Sequence, residues 1–173
     1  DVWGVGTHLV TGGDEASFTG VYKLAAFERG GVWSPTMKFS DNPDKSTNPG
    51  VKDLYRVYDE SGAAVADVMT LAGETIEPGK TVTFHHPSLD TRRVTFEPCG
   101  EIRPMLGKVM EGGKRLAPAP TMQELRARRA ASMRSFDHTF LRFLNPHIYK
   151  VSISGRLRDL KLEFVERYRG SKG

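Results

Sequence analysis

The chain has 173 residues, with 25 Lys and Arg against 21 Asp and Glu, a net charge of +4 and 38% hydrophobic residues. This hydrophobic content exceeds that of a disordered chain, and no apolar run approaches the roughly 18 residues that a membrane-spanning helix needs. The single cysteine, Cys99, excludes an internal disulfide and a cysteine-based zinc cluster. We therefore expect a cytoplasmic protein with the length of one ordinary domain.

Charge is unevenly distributed along the chain. Residues 1–100 carry 9 basic and 14 acidic side chains, whereas residues 101–173 carry 16 basic and 7 acidic ones. A basic second half is compatible with a polyanionic partner such as nucleic acid, but the solvated faces of two Arg-rich helices explain it better. Aromatic residues are not interleaved with the basic ones as RNA stacking requires, so we expect neither a nucleic-acid nor a membrane partner.

Residues 20–97 alternate apolar and polar side chains between closely spaced turn residues, which predicts a series of antiparallel strands. The predicted strands are Val21–Phe27, Thr36–Ser40, Leu54–Tyr58, Val65–Leu71, Thr81–His85 and Arg93–Phe96. Gly30-Gly31 ends the first strand, and Asp59-Glu60-Ser61-Gly62 is typical of a hairpin turn. Strands this short and regular favour an antiparallel sheet or a small barrel-like module.

The periodicity changes after Gly113. Thr121-Met122-Gln123-Glu124 is a capping box that predicts the start of a helix, which continues to Asn145-Pro146. Its apolar stripe consists of Met122, Leu125, Met133, Phe136, Phe140 and Leu144. A short strand is predicted over Tyr149–Ile153, and Ser154 can cap a last helix. The order of strands followed by helices predicts an α+β fold.

The segment Gly4-Val5-Gly6-Thr7 follows a strand-like apolar lead. Glycines let the backbone approach a ligand, and consecutive N–H groups can point at an anionic phosphate, to which the Thr7 hydroxyl could add a hydrogen bond. On spacing alone a plain turn at a strand end is the commoner explanation, because Gly-x-Gly-Thr is neither a Walker sequence nor a full dinucleotide fingerprint.

A polar loop at residues 41–50 contains one lysine and lies between two others, at intervals of seven residues. Lys38, Lys45 and Lys52 could converge on a polyanion, although a solvated hairpin loop is favoured on spacing alone. 

No histidine or acidic cluster has the spacing of a metal site or of an active site. His85 and His86 are adjacent on a predicted strand and point to opposite faces, and Glu74 and Glu77 lie in turn-rich sequence that indicates solvated side chains. We predict no metal site and no catalytic residue in this chain.

Three ordered motifs resemble the C-terminal portion of nicotinate phosphoribosyltransferase, a type II phosphoribosyltransferase. The first is Asp1–Thr7 followed by Gly20–Leu24. The second is a K-x-S…K-x-T-x-P-G-x-K…Y-R pattern from Lys38 to Arg56, and the third is Asn145–Ser154 with the helix that follows. Quinolinate and nicotinamide phosphoribosyltransferases are near alternatives on fold, but the Gly-Val-Gly-Thr and Val-Tyr-Lys matches favour nicotinate.

The resemblance implies formation of nicotinate mononucleotide and pyrophosphate from nicotinate and phosphoribosyl pyrophosphate, with ATP hydrolysis and Mg²⁺, in NAD biosynthesis. It implies an irregular α/β barrel joined to an α/β sandwich domain, as a cytoplasmic homodimer with shared sites. Phosphate-binding loops after late barrel strands are common. The residues that would hold the 5′-phosphate are Gly4, Val5, Gly6 and Thr7. Residues in family motifs that could belong to a substrate loop are Tyr22, Lys23, Lys38 and Lys45.

The resemblance also implies that the catalytic half is elsewhere, because no histidine of this chain lies in a matching catalytic motif. We expect residues 1–19 to form the end of a barrel strand with the phosphate loop, residues 20–117 a mainly β module, and residues 118–173 a helical segment packing on it. The expected partner is the missing N-terminal portion of the enzyme, and the chain alone should be inactive. A non-catalytic phosphate- or nucleotide-binding regulatory module and, less favoured, a basic nucleic-acid binder are the alternatives.

Overall fold

A computed structural model describes residue 6, residues 20–40, residue 42 and residues 45–170 except 90 and 99. The strands are β1 (Ala26–Arg29), β2 (Val32–Pro35), β3 (Lys52–Tyr58), β4 (Ala64–Leu71), β5 (Val82–His85), β6 (Arg93–Phe96), β7 (Ile102–Pro104), β8 (Met110–Glu111), β9 (Lys114–Arg115) and β10 (Lys150–Ile153). The helices are α1 (Met122–Arg134), a 3₁₀ turn (His138–Leu141) and α2 (Gly155–Gly170). In the part of the chain that the structure describes, no helix is long and apolar enough to cross a membrane.

Six strands form the central sheet in the order β6-β5-β10-β4-β3-β7. β10 runs parallel to β4, and every other neighbouring pair in this sheet is antiparallel. β1 pairs with β2, and β8 with β9, as separate two-stranded hairpins. A strand from near the end of the chain therefore joins the hairpin β5–β6 to the strands β3, β4 and β7, and the architecture is the α+β class that the sequence predicts.

The core lies against both faces of this sheet. Along β4 the burial alternates with period two, and Val68 packs in a buried cluster with Val57 of β3 and Phe84 of β5. On the helical side, α2 packs against β4 and β5, and Leu157 is fully buried there. Both layers are needed because a sheet of this size has two faces to keep from water.

The hairpin turns follow from local chemistry. Gly30 and Gly31 have φ angles of 58° and 80°, and they connect the paired residues Arg29 and Val32. Two consecutive positive φ angles define the type I′ turn that matches the twist of antiparallel strands. In the hairpin between β3 and β4, Asp59 Oδ1 accepts hydrogen bonds from the N–H groups of two residues further along the turn at 2.9 Å, which confirms the predicted hairpin.

The first two strands lie at different positions from those predicted. β1 begins at Ala26 rather than Val21, and β2 spans Val32–Pro35, whereas Thr36–Ser40 forms no strand. The reason is that the two-residue turn at Gly30-Gly31 sets the register, so pairing must begin directly on either side of it.

Helix α1 begins as predicted and ends earlier than predicted. Thr121 Oγ1 accepts the Glu124 N–H at 3.2 Å, and Glu124 Oε2 accepts the Thr121 N–H at 2.6 Å, which confirms the capping box. The helix ends at Arg134 instead of continuing to Asn145. It stops because the Ala64 N–H donates to Ser135 O at 2.7 Å, which draws the backbone to the edge of β4.

An ion pair on the sheet holds the segment that follows α1. Arg56 Nε and the second guanidinium nitrogen donate to the two carboxylate oxygens of Asp67 at 2.8 and 2.9 Å, with side chains 11% and 15% exposed. The Tyr149 hydroxyl donates to Asp67 Oδ1 at 3.0 Å, and the Arg56 guanidinium lies 4.8 Å from the Phe136 ring centroid. Burial, and then the nearby Asp67 carboxylate, raise the pKa of Tyr149, so its hydroxyl keeps its proton.

Removing the arginine should leave the carboxylate of Asp67 largely buried without its counter-charge. We expect Arg56→Met to lower the free energy of unfolding by about 3 kcal/mol, measured by urea denaturation. Arg103→Met is the matched control, since the Arg103–Glu101 pair is about half exposed and its loss should have a much smaller effect. Equal losses for the two variants would contradict the proposed importance of the Arg56 pair.

Gly50 has a conformational and a steric reason to be glycine. Its φ is 84°, and an added Cβ would lie 3.0 Å from Leu71 Cδ2. Gly62, with φ of 81° and nothing within 4 Å of an added Cβ, isolates the backbone contribution. We expect Gly62→Ala to lower the free energy of unfolding by about 1 kcal/mol and Gly50→Ala by about 1 kcal/mol more. Equal values in urea denaturation would show that packing at Gly50 contributes nothing.

Candidate functional site

The lysine loop, which we define as residues 38–52, doubles back on itself through main-chain and hydroxyl hydrogen bonds. The Lys38 N–H donates to Thr47 Oγ1 at 2.9 Å, and the Thr47 N–H donates to Lys38 O at 3.1 Å. The Ser40 N–H donates to Ser46 Oγ at 3.2 Å. The hydroxyls of Thr47, in the K-x-T element, and of Ser46 thus bind backbone of the opposite side of the loop. The Ser40 hydroxyl of the K-x-S element instead accepts the Asn42 N–H on its own side at 3.3 Å.

Lys52 has a structural role in this loop. Its ammonium donates to Asn48 O at 2.8 Å and to Gly50 O, and burial lowers its pKa. Lys38 and Lys45, by contrast, are exposed. Of the three lysines spaced by seven residues, only Lys38 and Lys45 thus present their ammonium groups to solvent, and their assignment to a substrate loop stays a prediction.

Helix α2 starts from a buried polar cap. Ser154 Oγ accepts the Leu157 N–H at 3.2 Å and donates to Glu74 Oε2 at 2.7 Å, which confirms the predicted cap. Glu74 Oε2 also accepts the Leu71 N–H at 2.7 Å. The expectation that Glu74 is solvated is therefore wrong for its carboxylate, which ties the end of β4 to the first turn of α2.

A cleft of about 650 Å³ lies between the lysine loop and α2. One wall contains Met37, Phe39 and serines of the lysine loop, and the other wall is one face of α2. The Phe39 and Tyr168 rings stack at the cleft with centroids 4.2 Å apart and planes inclined by 9°. This volume lies in the range of small-molecule sites, and the lining combines aromatic and aliphatic side chains with serines and charged groups.

The α2 wall of this cleft carries more basic than acidic side chains. Arg158, Lys161 and Arg169 all line it, as expected for residues spaced by three and eleven on one helix face, and Glu166 is the acidic residue among them. Lys161 Nζ donates to Pro87 O at 2.5 Å, which connects α2 to the loop after β5. The cleft therefore has the charge and shape to bind an organic anion.

Arg158 is a basic residue of this wall with a buried nitrogen that forms no hydrogen bond. Its Nε is buried and has no hydrogen-bond partner, while one terminal nitrogen donates to Asp159 Oδ1 at 3.1 Å. The neighbouring His85 also has a buried Nδ1 without a partner. Burial, and then repulsion by the Arg158 charge, lower the pKa of His85.

The predicted phosphate loop lies almost entirely outside the described residues. Gly6 is described and exposed, and an added Cβ there would meet no atom within 4 Å. The remaining members of that loop are Gly4, Val5 and Thr7. In the second predicted group, Tyr22 and Lys23 are both exposed and precede β1.

The basic face of α2 was missed at the sequence level, where the Arg and Lys residues of this half were interpreted as solvated. That interpretation holds for Arg167, which pairs with Glu163 on the same helix as predicted. The available signal was the separation of three and eleven residues between Arg158, Lys161 and Arg169, which places them on one helix face. The sequence does not show that the lysine loop lies opposite this helix face, and it is this placement that makes the face one wall of a cleft.

Comparison with solved structures shows the fold of the chain. The chain superimposes on the crystal structure of human Nicotinic Acid Phosphoribosyltransferase with a TM-score of 0.61 and 22% sequence identity, covering 78% of this chain and 26% of that one. The mixed sheet with α2 on one face is therefore an α+β domain of the kind found in that enzyme.

Sequence comparison then identifies the family. The chain is 34% identical to the nicotinate phosphoribosyltransferase of Caenorhabditis elegans over 91% of its own length, and 32% identical to that of Homo sapiens over 92%. It covers only 27% and 29% of those two proteins. Residues 51–161 match the model of the nicotinate phosphoribosyltransferase C-terminal domain. The chain belongs to this family.

The lowered pKa of His85 predicts a pH dependence of stability. Because the folded-state pKa lies below the unfolded value of 6.5, the unfolded chain binds more protons and the free energy of unfolding falls as pH falls through about 6.5. We expect His85→Gln to reduce this slope between about pH 7.5 and 5.5 in urea denaturation. His138→Gln, at a side chain 80% exposed, is the matched control. An unchanged slope in His85→Gln would contradict the assignment.

Proposed function

We propose that the chain is the C-terminal domain of a nicotinate phosphoribosyltransferase, acting in NAD biosynthesis from nicotinate. The enzyme would form nicotinate mononucleotide and pyrophosphate from nicotinate and phosphoribosyl pyrophosphate, with ATP hydrolysis. The observation that supports this most strongly is the match of residues 51–161 to the C-terminal domain of that family. Both relatives named above are nicotinate phosphoribosyltransferases, and the chain spans less than a third of the length of each.

In this proposal the chain supplies binding groups and the other portion supplies the chemistry. The backbone amides of Gly4–Thr7 would hold the 5′-phosphate of the ribosyl group, since consecutive N–H groups are good ligands for a phosphate dianion. Lys38 and Lys45, exposed on the lysine loop, would add positive charge near the phosphorylated substrate, and the motif residues Tyr22 and Lys23 would lie close by.

The N-terminal hairpin provides a surface for the rest of the enzyme. Val32 and Trp33 of β2 are 65% and 58% exposed, and Val21 and Leu24 before β1 are each 67% exposed. These exposed apolar side chains lie within residues 21–33 of the sequence. We assign their contacts to the N-terminal portion of the enzyme, which would assemble as a cytoplasmic homodimer.

Among the described residues, no three His, Cys, Asp or Glu side chains are placed to hold a metal ion. In this proposal the contribution of these residues to the reaction is to bind and orient the phosphorylated substrate.

Activity of the isolated chain and of a joined form tests this division of labour. We expect the 173-residue chain to form no nicotinate mononucleotide from nicotinate, phosphoribosyl pyrophosphate, ATP and Mg²⁺, measured by chromatography. The same chain joined to an N-terminal barrel portion of this family should form it. Turnover by the 173-residue chain alone would show that the catalytic groups lie within it.

The phosphate loop is tested in the joined form. Thr7→Ala should raise KM for phosphoribosyl pyrophosphate by about tenfold, the effect of losing one hydrogen bond to a charged group. Thr11→Ala is the matched control, because Thr11 lies outside the Gly-x-Gly-Thr motif. Equal KM values for the two variants would remove Thr7 from the substrate site.

A further inference from the structure

We propose that the cleft between the lysine loop and α2 binds an organic phosphate, with the phosphate group on Arg158 and the organic part against the Phe39–Tyr168 stack. This goes beyond the proposed function, which places phosphate at Gly4–Thr7, and it concerns binding alone. It therefore stands or falls independently of whether the chain belongs to an active enzyme.

The charge of the cleft selects an anion. Three basic side chains of α2 line it against the single carboxylate of Glu166. Arg158 and Lys161 are one turn apart and their side chains are both partly buried, which strengthens their field relative to fully solvated groups. An anion of charge near two is the best match to such a surface.

The unused hydrogen-bonding capacity of Arg158 specifies where the anion binds. The side chain is 31% exposed, yet its Nε is buried and donates to no atom. A buried donor without an acceptor is costly, and a guanidinium is suited to bind two oxygens of one phosphate at once. The Asp159 carboxylate that it contacts is 71% exposed and satisfies only a terminal nitrogen.

The aromatic and aliphatic part of the cleft indicates that the phosphate is attached to an organic group. The Phe39–Tyr168 stack and the side chains of Met37, Leu162 and Val165 line the same cavity as Arg158. About 650 Å³ is far more than a free phosphate needs and suits a phosphorylated sugar or nucleotide. The chemistry shared by these ligands is a phosphate monoester.

Calorimetric titration of the 173-residue chain at low salt tests the proposal with three probes: AMP, ribose 5-phosphate and inorganic phosphate. We expect AMP to bind more tightly than inorganic phosphate, and ribose 5-phosphate to reveal how much the base contributes. Arg158→Gln should weaken AMP binding by at least about tenfold. Arg156→Gln, the same change at an exposed position of the same helix, should alter it by less than about twofold.

Three results would overturn the proposal: no binding of any probe, equal weakening by the two arginine variants, or loss of binding in Thr7→Ala with none in Arg158→Gln. The last result would place the phosphate at the predicted Gly-x-Gly-Thr loop. Arg169→Gln, at the exposed end of the cleft, should also weaken AMP binding and is the second variant should Arg158→Gln unfold. Circular dichroism of each variant reports folding.

Discussion

The insertion of β10 between β4 and β5 is the constraint on which the rest of the structure depends. Without β10 the hairpin β5–β6 has no strand neighbour in the sheet, and the strands β3, β4 and β7 form a separate set. Because β10 comes from residues 150–153, the central sheet is complete only when the end of the chain has folded back. The parallel pairing with β4 requires a long connection, which residues 72–149 provide; this connection contains β5–β9 and α1.

The position of α2, and with it the basic cleft, follows from that insertion. The Ser154 N–H donates to Met69 O at 2.9 Å directly after β10, so the first turn of α2 is held at the end of β4. Glu74 binds the same serine hydroxyl. At the other end of β10, the hydroxyl of Tyr149, the residue before this strand, donates to Asp67 of the Arg56–Asp67 pair. Strand β10 is therefore held at both ends and α2 at its first turn, and the helix face that carries Arg158 lines the cleft beside the lysine loop.

Elements whose geometry is local could be predicted, and those that depend on distant partners could not. The turn at Asp59–Gly62 and the caps at Thr121 and Ser154 use hydrogen bonds within four residues, and the structure confirms all three. The end of α1 was predicted wrongly because it depends on Ala64, more than 70 residues earlier in the chain. Lys52 was grouped with Lys38 and Lys45 by spacing, and its structural role could not be predicted because its carbonyl partners depend on the fold of the whole loop.

The sequence by itself determined the family and the class of fold, since ordered motifs from Asp1 to Ser154 and the succession of strands and helices can be read without coordinates. It also determined the turn at Asp59–Gly62 and the caps at Thr121 and Ser154, whose interactions are short-range. Only the tertiary structure decided which basic residues share a cleft and which lie in solvent. Arg156 and Arg158 are the same residue type two positions apart, but of the two only Arg158 lines the cleft beside the lysine loop. The reason is that β10 and the buried cap at Ser154 set the rotation of α2 about its axis.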